Sequence, residues 1–579
     1  MSRKISISIL LCLLGFSSYA MNAGEIRIST QTAFNNMRVA IDKRVKAGEK
    51  QITVIVEPGI YEFNENHLAL KNLDYHDIDL TISGQGVTVT SAGELIERGA
   101  ALQKLNRYRC YLTDTGDELD PWSSFQQTDR EIQVLDSKTG ACRIHCVQPI
   151  RKCNAAQCEG QYILITESFK SIQCKVTSIK GGYIYFTADN TSDINFDYSV
   201  AKRFPRFKLL GNRDFHGNMY IADGTVRFPD GYKTVKSCRS SNFLYVEGCR
   251  FKSFRIDGLH FKGSKESSQL MAFTNNEAVG GIAVTNCEFR NIHGDVIMIR
   301  NTDDVTVKDC CFSETYRSGI SSDNKSARTV VCGNRFVNCC TAPRYSVCVT
   351  CSGTDYRVSG NVFEDFGYCA ISVGLHHDSK KYEPITGTVD RNEVYNTPAH
   401  NAAAFENSLM DSGAIYLAAN HDATVVEYNN VHDIAGYYSN NGIYCDQGAK
   451  GFKLYGNVIT HIATGYTIYS RRVAYIEKLA SSQVKKTNVD NQIMNNILDG
   501  KYMFNGRPGD NNCVKGRNYL VRGADGSVPV LKMSDIPVVE DDVVLDNVTI
   551  ADGKVKVSRE DLGKYFSSRE FDPVRQYLK

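Results

Sequence analysis

The sequence predicts an all-β fold: a parallel β-helix with an N-terminal capping helix and a small antiparallel β insert. A short phrase, a small or amide residue followed by any residue and then an apolar one, recurs nine times from residue 249 onward. Its steps of 23, 24 and 27 residues between Phe289 and Phe363 have the period of a solenoid. Each repeat holds short β-branched or aromatic runs, such as residues 305–307, and no helical pattern. One coil of stacked parallel strands per repeat is therefore expected.

The first residue of each phrase is expected to occupy one fixed position of the coil. The phrases begin at Cys249, Cys287, Cys310, Asn334, Asn361, Asn392, Asn429, Asn457 and Asn495. Buried Asn side chains at such a position can bond to the backbone and to one another as a ladder, and Cys fills the same space as a small apolar residue. We therefore interpret the ladder cysteines as core residues and not as metal ligands. No metal site and no cofactor are predicted.

Residues 1–20 are predicted to be a secretory signal peptide. Arg3 and Lys4 precede an apolar run at residues 9–14, and small residues precede the expected cleavage site after Ala20. The run is too short for a membrane span; a buried N-terminal helix is the alternative interpretation. We expect a periplasmic or extracellular protein in which disulfides are permitted. The close pairs Cys142/Cys146 and Cys153/Cys158 are candidates for them.

The composition narrows the class of protein. With 67 Lys and Arg against 65 Asp and Glu, the formal charge is only +2. This argues against a protein that wraps nucleic acid or coats an anionic membrane. With 42% hydrophobic and 23% charged residues, the chain is not expected to be disordered. One long solenoid with an insert accounts for most of its 579 residues.

The elements are expected in a simple order. A helix over residues 32–46 covers the open end of the solenoid. Residues 101–235 break the period and contain Tyr-rich segments, one of them after the turn signal Gly181-Gly182, which indicates a β-sandwich-like insert. The predicted divisions are 1–20 signal peptide, 24–100 cap and first coils, 101–235 insert, 236–524 β-helix with the site, and 525–579 a C-terminal tail without the ladder.

The candidate site comes from overlaying the central strands of four coils, residues 370–374, 414–418, 442–446 and 467–471. The overlay aligns Tyr416, Tyr444 and Tyr469 in one row. It aligns Gly374, Ala418, Asp446 and Arg471 in another, with neighbours ~4.8 Å apart. Arg471 beside Asp446 is expected to keep that carboxyl ionised. Arg472 and Arg507 extend the basic side.

Asp411 is the second carboxylate that we single out. Hydrolysis of a glycoside needs an acid on the leaving oxygen and a base or nucleophile opposite it, and Asp411 and Asp446 are the hypothesised pair. In strict register Asp411 lies seven residues upstream, ~23 Å if extended, so the pair requires the chain to fold back at Ser412-Gly413. A simple turn is the alternative interpretation of Asp-Ser-Gly. Glu406 is the reserve carboxylate, and His376, His377, His421 and His432 lie near the same end.

These segments resemble right-handed β-helix glycoside hydrolases, closest to families 141 and 120. The resemblance rests on residues 411–416 (DSGAIY), 426–433 (VEYNNVHD), 441–447 (NGIYCDQ) and 455–459 (YGNVI). The family pattern has an acidic residue just before Gly-Ala-Ile-Tyr and an Asp just after the next Ile/Val-Tyr, which Asp411 and Asp446 match. The chain departs where it has Asp446-Gln447 in place of paired Asp, and Tyr-Ser-Arg-Arg in place of a glycine-rich turn. The resemblance implies fucosidase, xylanase or xylosidase activity on plant cell-wall glycans.

The expected function is that of a secreted glycoside hydrolase acting on complex plant-type polysaccharide, such as fucoside or xyloside side chains of pectin or hemicellulose. Asp446 is the expected nucleophile or base and Asp411 the acid. The expected substrate-binding residues are Arg471, Arg472, Tyr416, Tyr444, Tyr469, His377 and Glu406. Two alternatives stay open. One is a lyase acting on uronates, with an arginine base and a cation at Asp303-Asp304; the other is a non-catalytic carbohydrate-binding β-helix with tyrosine platforms. The partner is a polysaccharide or oligosaccharide and not a nucleic acid; the oligomeric state is not predicted.

Overall fold

The structure is a computed structural model, in which two stretches are described nearly without interruption and the others in short pieces. The described residues are 24–97, 110–112, 126–127, 132–145, 162–167, 170–188, 206–211, 214–216, 219–222, 225–227, 234–238, 240–264, 269–340, 346–374, 385–396, 412–418, 420–434, 440–446, 450–463, 465–470, 492–505, 514–523, 526–528, 531–534, 542–545, 548–551 and 554–557.

The fold is a right-handed parallel β-helix, as predicted, with three strands in a typical coil. The first face contains Glu25–Ile28, Gln51–Val56, Ile282–Thr285, Val305–Lys308, Val330–Cys332, Tyr356–Ser359, Ile385–Asp390, Asn420–Glu427, Lys450–Tyr455, Gln492–Met494 and Val514–Lys515. The second face contains Gly59–Phe63, Glu288–Ile292, Cys311–Ser313, Arg335–Cys339, Val362–Phe366, Glu393–Tyr395, Asn430–His432, Val458–Thr460, Ile497–Leu498, Tyr519–Val521 and Val543–Leu545. The third face contains Leu68–Lys71, Leu244–Glu247, Gln269–Thr274, Asp295–Arg300, Ile320–Ser322, Val347–Cys351, Cys369–Val373, Ser412–Leu417, Asn440–Cys445, Ile468–Ser470, Tyr502–Asn505 and Leu531–Ser534. Asp74–Ser91 and Arg250–Ser264 run through the first two faces. The short strand Glu277–Ala278 lies just before the first-face strand of its coil.

Two short helices cover the N-terminal end of the β-helix, where a single helix was predicted. They are Gln31–Asn35 and Met37–Lys46, with Asn36 between them. Thr30 caps the first helix, because its Oγ1 accepts the Ala33 N–H at 3.1 Å. Phe34 is fully buried against Tyr61 and His67, with ring centroids 4.9 and 4.4 Å away. The helices thus close the apolar interior of the first coils.

The corner between the first and second faces has the same construction in eight successive coils, where two residues separate the strands. The first of the two has a positive φ, and it is Asn286, Asp309, Gly333, Gly360, Arg391, Tyr428, Gly456 or Asn495. The second is a buried ladder residue. Asn429 is typical: its Oδ1 accepts Asn392 Nδ2 at 2.9 Å, and its Nδ2 donates to Asn457 Oδ1 at 2.9 Å and to the Val389 carbonyl at 2.9 Å. The ladder therefore satisfies the polar groups that it buries.

Two of the predicted ladder positions are wrong. In the phrase at residue 495 the ladder residue is Asn496, whose Oδ1 accepts Asn457 Nδ2 at 3.0 Å, whereas Asn495 is the corner residue with φ 58°. Asn tolerates that left-handed conformation, so the pair Asn495-Asn496 fits the phrase in two registers. Cys249 belongs to another corner, before the first face, where its N–H bonds to Asn276 Oδ1 at 3.0 Å.

Cys287 and Cys310 do occupy the predicted ladder. The Cys287 N–H contacts Cys310 Sγ at 3.4 Å, and the Cys310 N–H donates to Asn334 Oδ1 at 2.9 Å. Behind this corner a column of phenylalanine rings stacks along the axis, with centroids 4.5–5.4 Å apart. The rings are those of Phe261, Phe289, Phe312, Phe336 and Phe363. The 23-, 24- and 27-residue steps of the sequence are the steps between these rings.

The insert begins and ends in one small sheet, since Gly93–Glu97 pairs antiparallel with Thr234–Cys238. Cys110–Leu112 completes this sheet, and Asp214–His216, Met219–Ala222 and Thr225–Arg227 form a second. The largest sheet contains, in spatial order, Gln126–Gln127, Arg206–Gly211, Tyr162–Glu167, Lys170–Lys180, Tyr183–Thr187, Ala141–His145 and Gln133–Asp136. Cys142 is a free buried thiol in the core of this sheet, so the candidate disulfide with Cys146 is not formed. Cys146, Cys153 and Cys158 lie outside the described residues.

The β-helix continues beyond residue 524, where the tail was predicted to begin. Leu531–Ser534 pairs with Tyr502–Asn505, and Val543–Leu545 pairs with Tyr519–Val521. The ladder reaches this coil as well, because Asp542 Oδ1 accepts the Asn518 N–H at 3.1 Å and Lys515 Nζ at 2.7 Å. The hairpin Val548–Ala551 and Lys554–Val557 follows. Among the described residues we find no helix with the length and apolar composition of a membrane span.

Candidate active site

The third face has the strand register that the sequence overlay predicts. Ile371, Ile415, Ile443 and Ile468 are neighbours on adjacent coils, and the next row contains Ser372, Tyr416, Tyr444 and Tyr469. The isoleucines belong to the main core, whereas Tyr416, Ala418 and Tyr444 belong to a separate cluster on the other side of the sheet. Since side chains alternate along a strand, Asp446 extends from the same side as these tyrosines.

Asp446 follows the strand Asn440–Cys445 and stands level with Ala418. Its N–H donates to the Leu417 carbonyl at 2.9 Å, which holds the residue in the ladder of the sheet. The residue is 7% exposed. One carboxylate oxygen, Oδ2, accepts the Tyr416 hydroxyl at 2.7 Å. The other, Oδ1, is buried and has no hydrogen-bond partner among the described residues.

The tyrosines form a buried aromatic wall beside this carboxylate. The Tyr444 ring meets the Tyr416 ring edge-on at 5.1 Å and stacks on the Tyr469 ring at 5.1 Å. Tyr416 and Tyr444 are at most 1% exposed, while Tyr469 is partly exposed. Burial, with the neighbouring Tyr368 and Asp446, raises the pKa of Tyr416 well above its usual value. Tyr416 therefore stays protonated and acts as a hydrogen-bond donor to Asp446.

Two residues of this region were not singled out from the sequence. Tyr368 is buried in the same cluster, with its ring centroid 6.3 Å from that of Tyr416. It stands four residues before Ser372, so the alternation of side chains could have placed it on this side. Asn441 joins three coils at the start of the face, because its Nδ2 donates to the Ser412 carbonyl at 3.1 Å and its Oδ1 accepts the Tyr466 N–H at 3.0 Å.

The turn expected at Ser412-Gly413 is not present. Both residues lie within the strand Ser412–Leu417 and pair with Asn440 and Asn441. Gly413 is needed for close packing and not for a turn, because a Cβ there would lie 2.7 Å from Tyr444 Cβ. Six residues of extended chain, ~20 Å, separate Ser412 from the level of Asp446.

Several predicted site residues lie outside the described residues. They are Asp411, Glu406, His377, Arg471 and Arg472. The structure thus brings together Asp446, Tyr416, Tyr444 and Tyr469, and the roles of all the predicted site residues remain predictions. Arg507 and His376 also lie outside the described residues.

Two further candidates are placed elsewhere. Asp303 and Asp304 both bind Arg328, at 3.0 and 2.6 Å, so one guanidinium engages both carboxylates and the pair does not form an open calcium site. His432 lies on the second face and not beside Asp446. Its ring stacks on Tyr395 at 4.9 Å, and its Nδ1 contacts Asp433 Oδ2 at 2.7 Å. Among the described residues, no three His, Cys, Asp or Glu side chains are grouped as a metal site.

Comparison with known proteins bears on the fold. The sequence family described as "Right handed beta helix region" matches residues 231–383, a stretch that ends before Asp446. Similar solved structures include one titled "Glycoside hydrolase", 12% identical, covering 76% of this chain and 95% of that one, with a TM-score of 0.48. The A-module of the Azotobacter vinelandii mannuronan C-5 epimerase AlgE6 is 11% identical and has a TM-score of 0.44. The match covers 90% of this chain and 95% of that one.

A third similar structure is the periplasmic alginate epimerase AlgG, 11% identical, with 85% of this chain and 76% of that one covered and a TM-score of 0.36. No curated protein matches the chain. With identities of at most 12% and TM-scores of at most 0.48, these likenesses lead to no conclusion about activity.

Proposed function

We propose that this protein is a secreted glycoside hydrolase that cleaves glycosidic bonds in complex plant-type polysaccharide, with Asp446 as its base or nucleophile. The observation that supports this best is the state of the Asp446 carboxylate. One oxygen is held by the Tyr416 hydroxyl, and the other is buried without a hydrogen bond from any described residue. A buried carboxylate oxygen without a partner is costly, and such costs are concentrated at functional sites.

The surroundings of Asp446 fit this role. The tyrosine wall excludes water from one side of the carboxylate, which strengthens its interactions with a bound group. The Tyr416 hydroxyl fixes the orientation of the carboxylate and leaves the lone pairs of Oδ1 unused by any described residue, so Oδ1 is the oxygen that would react with an anomeric carbon or with a water molecule. The match of Asp446 to the aspartate of the family 141 and 120 pattern agrees with this assignment.

The second carboxylate of the proposal, the acid, is Glu406. Asp411, the predicted acid, is bonded to Ser412, and Ser412 stands six extended residues, ~20 Å, from the level of Asp446. That is farther than the two carboxyls of a glycosidase stand apart, so the pair Asp411 and Asp446 does not fit this strand, whereas a chain that returns over the third face could bring Glu406 beside Asp446. Arg471, Arg472 and His377 are proposed to bind the substrate beside it.

The experiment is a screen of the purified protein on pectic, xylan and host glycans, with products identified by mass. Asp446→Asn should lower turnover by about 10²- to 10⁴-fold, the usual contribution of a general acid or base. Asp433→Asn is the matched control, since Asp433 follows the second-face strand of the same coil. Wild-type activity in Asp446→Asn would refute the assignment. Asp411→Asn and Glu406→Gln, measured in parallel, identify the acid, and a product with a new ultraviolet-absorbing double bond would indicate a lyase instead.

A further inference from the structure

The largest sheet of the insert has one apolar and one polar side. Ile144, Ile163, Ile184 and Phe186 form its buried core with Cys142 and Val176. The side chains that alternate with them face away from this core. On four neighbouring strands they form a compact group, which we call the tyrosine patch: Gln133, Arg143, His145, Lys180, Tyr183 and Tyr185.

The tyrosine patch is held together by contacts between cations and aromatic rings. The Arg143 guanidinium lies 4.3 Å from the Tyr183 ring centroid, and Lys180 Nζ lies 5.3 Å from that of Tyr185. His145 packs on Tyr183 at 4.9 Å. Arg143 also donates to Gln133 Oε1 at 2.6 Å and to the Tyr185 hydroxyl at 3.4 Å. These contacts fix the two rings and the guanidinium before any ligand arrives, which lowers the entropic cost of binding.

The charge of the tyrosine patch is positive. Arg143 and Lys180 are both cations at neutral pH. Asp136, at the end of the edge strand, accepts the Lys138 N–H at 2.8 Å and the Thr139 hydroxyl at 2.9 Å within its own turn. Its carboxylate is therefore engaged locally. A sheet that presents partly exposed tyrosines beside two cations suits a ligand with apolar ring faces and negative charges.

We propose that the tyrosine patch binds an acidic polysaccharide, with Tyr183 and Tyr185 against the sugar rings and Arg143 and Lys180 on the carboxylate or sulfate groups. Arg143 is suited to both anions, because its planar fork matches their oxygens. The inference rests on the proposed function in taking a glycan as the ligand, and it adds that the polymer is anionic. The patch would hold the chain of the substrate at a place separate from Asp446.

Binding of the full-length protein to three polymers tests this, by titration calorimetry in the Asp446→Asn background. The polymers are polygalacturonate, a sulfated dextran and neutral xylan. Replacing Arg143 with Ala should weaken binding to an anionic polymer by about 10-fold, as expected for the loss of a charged hydrogen bond. The binding should also weaken with added salt. The preferred anionic polymer identifies the bound group as carboxylate or sulfate.

Arg255→Ala is the matched control, since it removes the same charge from an exposed position of the first face. A conservative variant, Arg143→Lys, keeps the positive charge and loses the planar guanidinium. Its affinity for the anionic polymer should lie between those of Arg143→Ala and Arg255→Ala. Equal affinities of Arg143→Ala and Arg255→Ala, xylan binding as tight as that of the anionic polymers, or no binding to any polymer would overturn the proposal. These outcomes are separate from the turnover of the Asp446 variants, which tests the hydrolase itself.

Discussion

The Tyr416 hydroxyl is the only described side-chain partner of the Asp446 carboxylate, and both groups are buried. A hydrogen bond to a charged group in such surroundings contributes more than one between neutral groups at the surface. The exposed ion pairs of Arg328 with Asp303 and Asp304 are the contrast, because solvent and salt screen them. Reactivity should therefore depend on Tyr416 even though the tyrosine itself stays protonated.

Tyr416→Phe tests this dependence, because it removes the hydroxyl and keeps the ring packed in the cluster. We expect kcat/KM to fall by about 10- to 100-fold, which corresponds to ~1.5–3 kcal/mol for a hydrogen bond to a charged group. Tyr395→Phe, on the second face, is the control and should retain wild-type kinetics. If Tyr416→Phe is equally active, the hydroxyl does not position Asp446.

The rows of this site could be predicted from the sequence, because strand alternation and coil register fix which side chains are neighbours. Tyr416, Tyr444 and Tyr469 were placed in one row in this way. The bond from Tyr416 to Asp446 could not be predicted, because it depends on the Tyr416 ring standing at 85° to its neighbour. Gly413 was assigned to a turn because glycine is common in turns, whereas it serves the close approach of Tyr444.

At the scale of elements, the asparagine ladder sets the register of the coils. Asn429 bonds to two neighbouring ladder residues and to a strand carbonyl, and it is fully buried. The period of the ladder was visible in the sequence because each coil needs one such residue. Its alignment failed only at Asn495-Asn496, where both corner positions are Asn, and at Cys249, which belongs to a different corner.

Asn429→Ala should therefore lower the free energy of unfolding by about 3–5 kcal/mol, since it leaves several buried polar groups without partners. Asn429→Cys is the matched variant, because Cys occupies the same position at Cys287 and Cys310. Asn429→Cys should lower the free energy of unfolding by less than Asn429→Ala does. Chemical denaturation of both proteins measures the difference, and a neutral Asn429→Ala would show that the ladder contributes little to stability.

At the scale of the whole molecule, the solenoid depends on a closed N-terminal end. Each coil contacts only its neighbours, so an open end can fray without the rest unfolding. Phe34→Ala should lower the free energy of local unfolding at this end by about 3–5 kcal/mol. Amide hydrogen exchange should therefore become faster in Gln51–Val56 and Gly59–Phe63. Val39→Ala is the control on the same cap, because Val39 is 65% exposed. Equal exchange in the two variants, or faster exchange also in Gln492–Met494, would contradict a local cap.

The constant two-residue corner has a consequence for how such a chain can change over time. Connections beside the third face range from 2 to 21 residues over the same eight coils, while the ladder corner keeps its length. The entropic cost of a longer loop grows slowly with its length, but one added residue at a ladder corner would move the buried side chain of that coil out of the ladder. Descendants of this chain are therefore expected to differ mostly in the loops around Asp446 and to keep the length of the ladder corner.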